Sequence, residues 1–372
     1  MSPSHRITGF LPDDPEEEAL AGPGLVVPSG PAAEGPLEMS TDYLGMELRS
    51  PIVASSSPIT GNLEGLHALD RAGVGAVVLP SLFEEQIAHE AQVSGELSHR
   101  EAEAHPEATG GYTPALDDYN AGAYRYLRLV REASSAVSVP VIASLNGVTK
   151  GGWTRYAAML ADAGAAAIEL NVYRVAADLD MSGRQVEQET LELVEAVRAA
   201  SPVPIAVKVG AQWSAFGNMA KRIADAGADG IVIFNRFYQP DIDVDRMSVE
   251  PHLVLSDSDE LRLPLRWCAI LHGRIGASLA LTTGIHRGVD VVKGLLAGAD
   301  VVMTTSSLLK HGPEHAAVLL HHLRAWLEER GYASVQEMVG AVSQSKVPDP
   351  AAFERANYLA TLTQYASERK GW

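Results

Sequence analysis

Only one cysteine, Cys268, occurs in 372 residues. An internal disulfide is excluded, and so is a metal site built from several thiolates; both absences fit a reducing compartment. No apolar run approaches the roughly 20 residues of a membrane-spanning helix. The first residues also lack the apolar stretch of a signal peptide. Basic residues are scarce: 29 Lys and Arg stand against 47 Asp and Glu, a formal net charge of -18. Such a field repels nucleic-acid phosphates and anionic lipid surfaces, but it allows a small anion in a local basic pocket. The expectation is a cytoplasmic protein that takes a small molecule and neither nucleic acid nor membrane. What is plentiful is apolar: 46% of residues are hydrophobic, enough to bury a large core.

Residues 1–38 are rich in Pro, Gly, Ala and Glu without a sustained period, and read as a flexible extension. Residues 39–372 read as one barrel domain with a C-terminal helical appendage. Within them one phrase recurs: "LDRAGVGAVVL", "LADAGAAAIEL", "IADAGADGIVI" and "LLAGADVVM". Each is a helix end, a glycine suited to a left-handed cap, and a short apolar strand of the kind buried on both faces of a parallel sheet. A second set of strands follows prolines, in "SPIVASS", "VPVIASLNG" and "VPIAVKVG".

Eight strands are expected, starting near Ile52, Ala76, Val141, Ala166, Ile205, Ile231, Ser278 and Val301. Helical patterns separate them, over about 250 residues, the usual size of an α/β (β/α)8 TIM barrel. An open doubly wound sheet is the competing architecture, but no G-x-G-x-x-G follows the first strand. Two long insertions should lie over the barrel mouth. Pro80 to Ser138 reads as a lid, and Arg236 to Glu260 as a hairpin pairing "DIDVD" with "HLVLS". The "HAAVLLHHLRAWLEERGY" stretch reads as a helix packed outside the barrel.

The strand ends share one character. Ser55, Asn146, Asn171, Lys208, Asn235, Thr282, Thr283, Thr304 and Thr305 all sit where barrels gather their chemistry. Alternation places Glu169 with Asn171 on one strand face, and Ala206 with Lys208 on the next. Such small polar residues also cap helices, but a lysine inside an apolar strand needs a partner or a ligand. "TTGI" and "MTTSS" open the helices after strands 7 and 8, where barrels often hold phosphate on backbone N-H groups. A phosphate at one side and a ring of amides with a lysine at the centre fit FMN, with Lys208 placed to balance the charge of a reduced flavin. No His or Cys spacing suggests a metal. A Schiff-base lyase using Lys208 is the alternative that the lysine alone permits.

The order "PIVASSSPIT", "VPVIASLNG", "AIELNV", "PIAVKV", "IFNRF" and "TTGI…VVMTTSSLL" resembles the dihydroorotate dehydrogenases. The strings "FNRFYQPDID" and "LPLRW" resemble a bacterial group of dihydroorotate dehydrogenase-like proteins more closely still. The resemblance runs from about Met39 to the C-terminus. It implies a (β/α)8 barrel, FMN, and oxidation of a CH-CH bond in a small, carboxylate-bearing substrate, as in dihydroorotate to orotate. It assigns flavin contacts to Ala54, Ser55, Asn171 and Lys208, with Asn146 added from its strand end. It assigns phosphate contacts to Thr283, Gly284, Thr304 and Thr305, and substrate binding to Asn235.

Three positions depart from that family. Its Cys or Ser base falls on Arg174, and a guanidinium is no general base at neutral pH. A family lysine at the end of strand 2 is Pro80, and a phosphate-loop glycine is Thr283. Arg174 and Arg236 are candidates to hold a substrate carboxylate, and Tyr173 is a candidate acid or base beside Lys208. A flavin-binding pseudoenzyme that serves as a partner subunit is a further reading. A homodimer or a redox protein is the partner to expect.

Overall fold

Left-handed glycines organise the chain. In a computed structural model, which describes residues 37–83, 123–147, 153–236, 239–250 and 253–354, the glycine of each recurring phrase has positive φ. Gly73, Gly164, Gly227 and Gly298 lie at φ 92°, 105°, 104° and 114°. Each closes a helix and releases the chain into a strand, as the phrase requires.

The strands are β1 (Thr41–Tyr43), β2 (Met46–Leu48), β3 (Ile52–Ala54), β4 (Ala76–Phe83), β5 (Val141–Asn146), β6 (Ala167–Asn171), β7 (Ile205–Val209), β8 (Gly230–Ile233), β9 (Asp241–Asp243), β10 (Ser248–Glu250), β11 (Ser278–Thr282) and β12 (Val301–Thr304). The helices are α1 (Leu63–Arg71), α2 (Ala123–Ala136), α3 (Trp153–Asp162), α4 (Gly183–Ala200), α5 (Phe216–Asp225), α6 (Arg262–Leu271), α7 (Gly288–Ala297), α8 (Ser306–His311), α9 (His315–Arg330) and α10 (Val335–Met338). Strands β3 to β8, β11 and β12 close into a parallel barrel, with β8 pairing β11 and β12 pairing β3. The expected (β/α)8 barrel is therefore present. Its strands begin within one residue of the positions read from the sequence.

Alternation sorts the side chains. Ile168 and Leu170 of β6 join the layer between barrel and helices, while Ala167 joins a separate inner cluster with Val53, Val78, Ile142, Val232 and Met303. The lower end of that inner cluster is filled by the β1–β2 hairpin, which supplies fully buried Tyr43 and Leu48 and nearly buried Leu44. Its two-residue turn puts Leu44 at φ 54° and Gly45 at φ 72°. A left-handed leucine costs about 1–2 kcal/mol. Burying its side chain contributes about 1.5–3 kcal/mol, which offsets that cost. Gly230 makes the room: a Cβ there would stand 2.5 Å from Cδ2 of Leu44.

Two expectations about the upper end change. Strand β4 does not stop at Pro80 but runs on to Phe83, with a register shift between Val78 and Ser81. A bulge tolerates a proline, since the ladder bond it cannot donate is already broken there. The insertion after β8 does form a hairpin, but "DIDVD" pairs with Ser248–Glu250, not with "HLVLS". The side chain of Asp243 accepts from the N-H groups of Asp245 and Arg246 and turns the chain early. Leu253 to Asp257 then runs without regular structure along the barrel mouth.

Helix α9 packs on α7 outside the barrel, and His322 lies against Gly288, whose added Cβ would meet it at 2.2 Å. The extension reading for residues 1–38 falls almost wholly outside the described residues, and Glu38 itself is bonded to Ala333 and Val335. The lid reading also falls outside them, apart from its ends. Among the described residues no helix is long and apolar enough to cross a membrane.

Candidate functional site at the barrel mouth

Above the inner cluster the barrel turns polar. Ser144, Glu169 and Ala206 share one level of the sheet, and Asn146, Asn171 and Lys208 the next. Glu169 is 1% exposed, and neither of its oxygens has a hydrogen-bond partner. Its relief is electrostatic: Lys208 Nζ lies 3.6 Å from Oε1. The same ammonium reaches across the barrel to Ser55 Oγ at 3.4 Å. Oδ1 of Asn171 is buried without a partner. Buried polar atoms left unpaired cost free energy, and here they cluster under a cavity.

That cavity, of about 540 Å³, is a common size for a small-molecule site. Its walls include Ser55, Asn146, Asn171, Lys208, Asn235 and Arg236. Thr283, Gly284, Thr304 and Thr305 close another side. Among the described residues the cavity wall contains two cationic side chains and no carboxylate, in a chain with a formal net charge of -18. A second chamber of about 760 Å³ adjoins it, sharing Tyr173, Phe234, Asn235 and Arg236. Its outer wall is acidic, with Asp241, Asp259 and Glu260.

The residues singled out in the sequence differ in how free they are. Asn235 spends its Nδ2 on the carbonyls of Val172 and Lys208, leaving its amide oxygen uncommitted. Arg236 lines both chambers but is held by Glu260, Nε to Oε2 at 2.8 Å, and by the carbonyl of Val254. Arg174 is not part of the cavity wall; it pairs with Glu189 of α4 and touches Met181. Tyr173 lines both chambers. Ala54 packs its methyl group into the layer between barrel and helices, so only its backbone faces the mouth.

The turn after β11, expected from the sequence to hold phosphate, has unusual backbone. Thr283 and Gly284 lie consecutively at φ 76° and 85°. A Cβ on Gly284 would stand 2.6 Å from the Leu261 nitrogen, so glycine is required there. Thr283 is a β-branched residue in a glycine conformation, a strained state of the kind found at functional sites. Two N-H groups just before α7 are already taken, while Thr282 to Ile285 ahead of them line the cavity. Buried Asp290 accepts from the N-H groups of His286 and Arg287 at 3.1 and 2.9 Å, so the anion there is the chain's own. Thr304 donates to the Ile285 carbonyl at 2.9 Å, which spends its proton inside the protein.

One hydroxyl on the wall, that of Ser256, escaped the sequence reading, and it meets Ser306 of the "MTTSS" stretch. Ser256 Oγ lies 3.0 Å from Nε2 of His286, and the Ser256 N-H donates to Ser306 Oγ at 3.2 Å. Both serines line the cavity. No periodic signal marks Ser256, because it stands in irregular chain between the hairpin and α6. Burial, and then the charge of Lys310, lower the pKa of His286 below that of a free imidazole.

No family model matches the chain. It is similar to curated proteins named dihydroorotate dehydrogenase B (NAD(+)), catalytic subunit. One from Methanothermobacter thermautotrophicus is 26% identical over 315 residues, 81% of this chain and 97% of the relative. One from Endomicrobium trichonymphae is 24% identical over 320 residues, 82% of this chain and 98% of the relative. One from Desulforudis audaxviator is 26% identical over 310 residues, 81% and 96%. The chain thus joins an eight-stranded barrel to a 24–26% identity, over 81–82% of its length, with curated dihydroorotate dehydrogenase subunits.

Proposed function

We propose that the protein is an FMN-dependent oxidoreductase acting on a CH-CH bond of a small anionic substrate. The observation that carries this reading is the cavity itself: a lysine inside the barrel and a wall whose described residues include no carboxylate, in an otherwise acidic chain. The residues present suit the cofactor. Asn171 offers an uncommitted buried oxygen to a ring N-H, and Ser55 and Asn146 offer further polar contacts. The Thr283–Gly284 turn and the serines beside it suit the phosphate.

The flavin, when bound, supplies the capacity to take a hydride from carbon. Lys208 would compensate the negative charge of a reduced flavin, and Glu169, 3.6 Å from its Nζ, keeps the ammonium in place. Asn235 and Tyr173, at the junction of the two chambers, are placed to orient the substrate.

Purified protein is expected to show flavin absorbance, and Lys208→Ala to retain less flavin. Colourless protein that takes up no added FMN would sink the proposal. The substrate is a separate question. The related enzymes' base position is Arg174, whose guanidinium faces Glu189. One observation thus favours a second reading, a flavin-binding partner subunit without dihydroorotate turnover. Anaerobic addition of dihydroorotate decides between them: bleaching of the flavin supports the dehydrogenase, and an unchanged spectrum supports the partner subunit.

A further inference from the structure

We propose that Ser256, held by His286 and Lys310, is a phosphate-gripping residue of this site, contributed from outside the two barrel loops that follow β11 and β12. The proposal rests on the flavin reading above and specifies how its phosphate end is recognised.

Every polar group of Ser256 is engaged from the protein side. Its N-H donates to Ser306 Oγ at 3.2 Å. Its carbonyl accepts from Lys310 Nζ at 3.0 Å. Its hydroxyl oxygen is 3.0 Å from His286 Nε2. Ser256 is 4% exposed and lines the cavity. The segment is thereby fixed against the barrel although it has no regular structure.

The bonding pattern leaves two protons to give. A serine hydroxyl has one proton and two lone pairs. If the Nε2-H tautomer of His286 donates to Ser256 Oγ, the Ser256 proton is free to point into the cavity. Ser306 is in the same position, because its oxygen already accepts the Ser256 N-H. An anion selects this arrangement, since the other tautomer uses up the Ser256 proton. Thr304 cannot do the same, its proton being spent on Ile285.

The surroundings favour negative charge. Lys310 stands one carbonyl behind the wall, and the imidazole of His286 behind the hydroxyl. The nearest acid in sequence, Asp257, is not on the cavity wall; it accepts from the N-H groups of Asp259 and Glu260, although its charge still reaches His286. Asp290, beyond His286, is committed to backbone N-H groups and to Ser258. The strained Thr283 and Gly284 turn lines the same cavity. A hydroxyl pair with cationic support, and no carboxylate among the described residues of the wall, matches a phosphate monoester.

The test separates the phosphate end from the ring end. Full-length protein stripped of flavin is titrated with FMN and with riboflavin, following quenching of flavin fluorescence. Ser256→Ala should lower FMN affinity roughly tenfold, the loss of one hydrogen bond to a charged group, and leave riboflavin affinity unchanged. Ser256→Thr, which keeps the hydroxyl, should restore FMN binding. His286→Ala should fall in the same selective way. Inorganic phosphate should compete with FMN and not with riboflavin. An equal loss for both flavins, or no selective loss, overturns the proposal. A wild-type chain that binds neither flavin removes the flavin reading, and this proposal with it.

Discussion

Lys208 and Glu169 form an ion pair across neighbouring barrel strands, Nζ to Oε1 3.6 Å, with the lysine side chain 12% exposed and the glutamate 1%. Among the described residues neither charge has another ion-pair partner, so each is what makes the other tolerable. Removing one member of such a pair leaves a buried charge uncompensated, at a cost of about 3–5 kcal/mol. Glu169→Gln and Lys208→Met should each destabilise on that scale in chemical denaturation. The double variant should lose clearly less than the sum. Additive losses within about 0.5 kcal/mol would mean that the two do not interact.

Thr283 holds a glycine's conformation, φ 76°, beside a glycine that cannot be replaced. Thr283→Gly removes a strain of about 1–2 kcal/mol and adds roughly 0.5–1 kcal/mol of unfolded-state entropy. The net expectation is a small gain in the denaturation midpoint. A clear loss would show that the threonine side chain contributes packing that outweighs its backbone strain.

The plug at the other end of the barrel gives a size-swap test. Gly230→Ala places a methyl 2.5 Å from Cδ2 of Leu44 and should cost about 1–3 kcal/mol by overpacking. Leu44→Ala alone should cost about 2–5 kcal/mol through the void it leaves. Together the two changes should destabilise less than their sum, as the new methyl enters the vacated space. Simple additivity would place Leu44 somewhere other than against Gly230.

Acid stability should depend partly on Asp70. Partial burial pushes its carboxyl up, but hydrogen bonds from the N-H and hydroxyl of Ser138, and the charge of Arg49, hold it below the ordinary range. A depressed folded-state pKa contributes stability that is present above the unfolded value, near 3.9, and lost as pH falls through the folded one. The stability difference between wild type and Asp70→Asn should therefore be constant near neutrality and shrink below about pH 4. A difference that grows on acidification would contradict this sign.

Much of the molecule was legible in the sequence, and the reasons are specific. The four recurring glycines announced helix ends because no other residue takes that conformation cheaply, and the apolar runs after them had no other fold to serve. Asn171, Lys208 and Asn235 stood out because polar groups in apolar strands demand an explanation. The β1–β2 plug did not stand out: three-residue strands carry no period, and Leu44 at positive φ breaks the rule by which turns are found. Ser256 and His286 lie 30 residues apart in irregular chain and meet only in space. Arg174 was conspicuous as a departure, but its partner Glu189 sits on a helix no motif connects to it.

The plug also divides the labour of evolution. Tyr43, Leu44 and Leu48 fill one end of the barrel, and the cavity lies at the other. Changes at the sealed end alter how long the protein survives, and changes at the open end alter which molecules it handles. Substitutions around Asn235, Tyr173 and Ser256, which line the cavity, can then be made without reopening the question of whether the barrel stands. The strained turn at Thr283 and the buried charges at Glu169 and Lys208 draw on the stability held at the far end.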